Sequence, residues 1–142
     1  MRARFTRPLY VGIAEKQTVS TRVVETHLKV TRGSALRRSL AGLLGESLEL
    51  RAGAVRHPRG EFGLEVAQES ELTGWMLGNL SVAWVELDEP GVVEVPTILD
   101  LLPPLNYTYA TGSPYRAQMK LLRAKFRAEA PLNWVRRRRP ID

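Results

Sequence analysis

The apolar residues of this chain fall into short runs of two different periods, and that mixture most limits how it can fold. Residues 8–14, PLYVGIA, form a nearly unbroken apolar run containing Gly12, which reads as a buried strand leading into a turn. Residues 81–87, SVAWVEL, alternate and read as a second strand. In 34–44, by contrast, Leu36, Leu40, Leu43 and Leu44 recur at helical spacing behind a Ser34 cap, with Arg37 and Arg38 on the opposite side.

Four further segments carry helical signals. Val23, Val24, His27 and Leu28 sketch one face of a helix over 20–30, with Ser20 or Thr21 as its N-cap. A short helix is expected over 70–79. Asp88 and Pro90 start a helix to residue 102 that carries Glu94, and Pro103 and Pro104 stop it. Pro96 should kink that helix or delay its start, because it removes a backbone donor. Ser113 and Pro114 open a basic helix over 114–128 with Met119, Leu122 and Phe126 on one side. Between 45 and 69, Gly45, Gly53, Pro58, Gly60 and Gly63 interrupt every element. Strands near 47–51 and 61–67 are all that such a stretch can hold, and His57 reads as a surface residue.

The expected fold class is therefore α/β (α+β), a small mixed or antiparallel sheet flanked by helices. One domain over 1–130 and a basic, disordered tail over 131–142 complete the expected organisation.

Composition narrows the chemistry. With no cysteine, the chain has no disulfide framework, thiolate zinc site or cysteine nucleophile. No apolar run approaches the roughly 18 to 20 residues that cross a bilayer, so a cytoplasmic protein without a membrane partner is expected. Residues 1–40 carry nine Arg and Lys against two acids, residues 41–113 three against eleven, and residues 114–142 nine against two. Two basic ends brought together would make a surface that attracts phosphate backbones, with Arg32, Arg37, Arg38, Arg116, Lys120 and Arg123 as the nucleic-acid-binding candidates.

PLYVGIA, an arginine on the helix that follows, and a glutamate twelve positions before the asparagine of PPLN resemble the second half of the GIY-YIG nuclease signature. Tyr10, Val11 and Gly12 stand where that family has its YIG triplet. Arg22 matches its helix arginine, Glu94 its metal-binding glutamate and Asn106 its late asparagine, while His27 resembles a histidine found after the arginine in some members. The similarity spans roughly residues 8–106. The family's first strand, GIY or GVY, has no counterpart in the nine residues before Tyr10, so it is missing or remade from Ala3 to Phe5.

The resemblance implies a metal-dependent endonuclease acting on DNA, with Tyr10, Arg22 and Glu94 catalytic, Gly12, His27 and Asn106 in support, and Mg²⁺ on Glu94, with Mn²⁺ as a substitute. Residue chemistry agrees. Arg22 brings a permanently charged planar fork to phosphate oxygens, and Glu94 an oxygen ligand of the kind Mg²⁺ prefers. Tyr10 can position an attacking water, and deprotonates it only if a nearby metal or arginine lowers its pKa. On a regular helix His27 points about 140° away from Arg22, which favours a core histidine. Two other readings remain open: a nucleic-acid-binding domain that keeps the fold without the chemistry, and a protein-interaction subunit whose acidic middle meets a basic partner.

Overall fold

A computed structural model describes residues 7–55 and 61–132. The Ala3–Phe5 segment, His57 and the tail from residue 133 lie outside the described residues. Among the described residues five α-helices run in chain order: α1 (Val19–Thr21), α2 (Ala35–Leu44), α3 (Val66–Asn79), α4 (Pro90–Leu101) and α5 (Arg116–Ala128). Among the described residues none is long and apolar enough to cross a membrane.

The helices sit close to their sequence signals. Ser34 caps α2, its side chain accepting from the Arg37 backbone N–H. Thr18, not Ser20 or Thr21, caps α1 by accepting from the Thr21 N–H at 3.1 Å. Helix α3 begins four residues earlier than Ser70, and α4 holds Pro96 in its interior. A left-handed Leu102 ends α4, and Pro103 and Pro104 follow.

The expected sheet is absent: the described residues contain no strand, only two isolated bridges, Ala52 to Leu64 antiparallel and Val55 to Leu132 parallel. A strand is stable only when its backbone groups pair along a neighbour. In 8–12 those groups go elsewhere. Leu9 C=O accepts from the Leu105 N–H at 2.9 Å, and Val11 bonds to the Asn106 side chain. Residues 81–87 do alternate, yet every residue from Ser81 to Glu89 is exposed and forms no bridge with another of the described residues. Of the pairing sketched for 47–51 and 61–67, only the contact around Ala52 and Leu64 forms, through Gly53 N–H to Gly63 C=O and Glu65 N–H to Arg51 C=O.

The core sits where α2 and α5 pack together, with Leu40, Leu72, Met76, Leu105, Met119 and Phe126 buried around Phe62. The rings of Phe62 and Phe126 lie 5.1 Å apart in a tilted pair. Gly42 makes the close approach possible: a Cβ there would come within 3.2 Å of the α5 backbone at Leu122 and Arg123.

One buried cluster ties α2 to α3. The wholly buried guanidinium of Arg37 donates to Thr31 Oγ1, His27 C=O, Thr73 Oγ1 and Glu69 C=O, and meets Glu69 Oε2 at 2.7 Å. Glu69 also accepts from Thr31 Oγ1 at 2.7 Å and from its backbone N–H. Every part of this ion pair is hydrogen-bonded, which is the condition for burying one. Arg37 is thus removed from the nucleic-acid-binding candidates, since its charge never reaches the surface.

Candidate active site

The site is built on the extended segment around Tyr10. Asn106 is buried, and its amide holds Val11 from both sides: Val11 N–H donates to Oδ1 at 2.8 Å, and Nδ2 donates to Val11 C=O at 2.8 Å. Ser39 Oγ donates to Leu105 C=O at 3.0 Å and pins the same turn to α2. The amide of Asn106 thus gives one donor and one acceptor bond to the Val11 backbone. Gly12 leaves room for the Tyr10 ring, which a Cβ would meet at 2.9 Å.

Residues Arg22–His27 do not continue α1 as an ordinary helix but form a π-helical turn, closed by Leu28 N–H to Val23 C=O at 2.9 Å. An i→i+5 bonding pattern carries residue i+5 back toward residue i, so the angular mismatch of a regular helix is reduced. The Arg22 charge consequently acts on the imidazole of His27. Burial first, then Arg22 and Arg37, lower the His27 pKa to about 4, so the ring is neutral at pH 7. Ser34 Oγ lies 2.7 Å from His27 Nδ1 and already accepts from the Arg37 N–H. His27 meets the Tyr10 ring edge-on, with centroids 5.8 Å apart.

Four charged groups from four parts of the chain act on the Tyr10 hydroxyl. Burial raises its pKa above the usual 10.0; Arg22 opposes this, Glu94 adds to it, and Arg38 and Arg123 oppose it more weakly. Arg22 and Glu94 are thus both within electrostatic reach of Tyr10. The Arg22 Nε is buried and has no hydrogen-bond partner. Such an unsatisfied cationic donor suits an incoming anion.

Glu94 is half-buried on the wall of an open cleft of about 470 Å³, lined also by Glu15, Asp88, Glu89 and Tyr109. Among the described residues no three carboxylates or histidines converge as a ready-made metal cage. One glutamate in an open cleft nevertheless suits Mg²⁺, which keeps several waters and takes substrate oxygens.

The remaining basic candidates are distributed as follows. Arg32 donates to Ala54 C=O at 2.8 Å from an exposed position. Arg38 Nε lies 3.0 Å from Glu61 Oε2. Arg116 and Arg123 place their guanidinium groups 5.2 and 4.9 Å from the centre of the Tyr107 ring. Steps of about 100° per residue put Arg116, Lys120 and Arg123 on one face of α5. Sequence reasoning missed Glu15, Glu61, Tyr107 and Tyr109. The aromatic pair of YTY directly after Asn106 was the available signal for the two tyrosines, whereas nothing local marks either glutamate.

Comparison with known proteins gives one match: the model of the GIY-YIG catalytic domain aligns with residues 4–125. No curated protein and no solved structure matches the chain. Because the aligned stretch takes in Tyr10, Arg22, Glu94 and most of the 142 residues, the chain belongs to the GIY-YIG catalytic-domain family, whose function is of nuclease type.

Proposed function

We propose that this protein is a metal-dependent endonuclease that hydrolyses phosphodiester bonds in DNA. What supports the reading is that the charges of Arg22 and Glu94, 72 positions apart, both act on the buried Tyr10 hydroxyl. Arg22 binds the non-bridging oxygens of the scissile phosphate, using the Nε that lacks a partner in the protein. Glu94 holds Mg²⁺, or Mn²⁺ in its place, which when bound supplies Lewis-acid stabilisation of the charge gathering on those oxygens.

Tyr10 remains protonated, because burial outweighs the pull of Arg22. It acts as a hydroxyl that orients water or phosphate through hydrogen bonds, not as a free phenolate base. Neutral His27 packs edge-on against that ring and holds its direction. The basic face of α5 takes the flanking backbone.

The test is nicking of supercoiled plasmid by purified protein with Mg²⁺ or Mn²⁺ and an EDTA control. Glu94→Gln should abolish cleavage while DNA binding holds or tightens, since it removes a negative charge facing the DNA. Arg22→Ala should abolish cleavage and weaken binding modestly. Wild type that binds DNA but nicks no faster than Glu94→Gln would instead identify a binding domain without chemistry.

A further inference from the structure

Within electrostatic reach of Tyr10 lies a pair of half-buried arginines that the cleavage step does not use. Arg38 comes from α2 and Arg123 from α5, and the close α2–α5 packing brings their charges together. Burial lowers the pKa of both, and for Arg123 the next cause is repulsion by Arg38 itself. Two like charges in a half-buried setting need a counter-charge. Among the described residues the acidic partner of this pair is Glu61. Its carboxylate is 3.0 Å from Arg38 Nε, yet that Nε makes no hydrogen bond. The Glu61 side chain is 58% exposed against 11% for Arg38, so it lies on the solvent side of that arginine.

The position of Glu61 follows from its neighbour. Phe62 is buried and packs on Phe126, one turn beyond Arg123 on α5, which carries the preceding carboxylate to the arginines. Tyr107 braces the far side of Arg123 and is itself flanked by Arg116. The charges of Arg38 and Arg123 both act on Tyr10, as those of Arg22 and Glu94 do.

We infer that Arg38 and Arg123 form a second phosphate site, which takes a DNA backbone phosphate next to the scissile one and which Glu61 occupies as a displaceable carboxylate until DNA arrives. A guanidinium pair matches a phosphate better than one carboxylate, because phosphate offers more acceptor oxygens to two planar forks. The inference rests on the DNA-cleaving reading for its substrate, but its test needs no cleavage.

The experiment is fluorescence anisotropy of a labelled DNA duplex at low salt, in EDTA, with folding of every variant checked by circular dichroism. Glu61→Gln should tighten binding roughly three- to tenfold, by removing a competing negative charge from an exposed position. Arg123→Met and Arg38→Lys should each weaken it, and the Glu61→Gln gain should vanish in the Arg123→Met background. Arg123→Lys, which keeps the charge and the fold, should preserve part of the gain. An unchanged or weaker affinity for Glu61→Gln, an equal gain with and without Arg123, or no duplex binding by wild type overturns the inference. Loss of plasmid nicking with this coupling intact would count only against the cleavage reading.

Discussion

Asn106 and Val11 are 95 positions apart, and the side chain of the first satisfies both backbone groups of the second. A single amide thereby does for the Tyr10 segment what a paired strand does in a sheet. Asn106→Ala should leave a donor and an acceptor stranded in a half-buried setting and cost about 2–4 kcal/mol. Asn106→Asp keeps the acceptor and loses the donor, so it should also destabilise. Urea midpoints compared with wild type check this; unchanged midpoints would show that Asn106 serves something other than the fold.

The Arg37–Glu69 pair should be the most sensitive polar contact of the core. Arg37→Met strands the Glu69 carboxylate among groups arranged to donate to it, with an expected loss of roughly 3–5 kcal/mol. Replacing both residues with methionine should cost less than the sum of the two single changes. Thermal or urea unfolding of the three variants measures the difference, and simple additivity would contradict the coupled cluster.

His27 makes stability depend on pH in a defined window. The unfolded chain takes a proton near the ordinary 6.5, whereas the folded chain takes it only near 4. Because the folded pKa is depressed, the full contribution is present above 6.5 and is lost as pH falls through the folded value. The loss should reach roughly 2–3 kcal/mol by pH 4. His27→Gln should remove that part of the pH dependence while leaving the carboxylate titrations in place. Urea unfolding of both proteins between pH 7.5 and 4 tests the sign.

Tyr10→Phe should lower the cleavage rate while changing DNA affinity little, because the hydroxyl orients a reactant and contributes no charge. Its raised pKa also predicts a rate profile without a Tyr10 ionisation step between pH 6 and 9. A slope of one across that range, lost in Tyr10→Phe, would assign it as the base.

The exposed charge of Lys120 on α5 should act only through phosphate contacts. Lys120→Ala should reduce the salt slope of DNA binding by about one, with the protein equally stable. A salt-independent affinity in wild type would dismiss the basic face as a DNA surface.

The sequence by itself determined the helices and the family. Caps, prolines and apolar spacing act within a turn or two, so α2, α4 and α5 fall close to their signals, and the order of Tyr10, Gly12, Arg22, Glu94 and Asn106 needs no folding to be recognised. Tertiary structure alone decided three other matters. Alternation in SVAWVEL and the apolar run PLYVGIA suggest strands, but pairing is a long-range event. The partners found were the turn at Leu105 and Asn106 for one and none for the other. Arg37 and Arg38 look alike on α2, yet packing against α3 sends Arg37 into a cluster built on Glu69, while Arg38 turns toward Glu61 and Tyr10. The angle between Arg22 and His27 depended on a π-helical turn, which costs backbone regularity and arises only where surrounding contacts compensate for it.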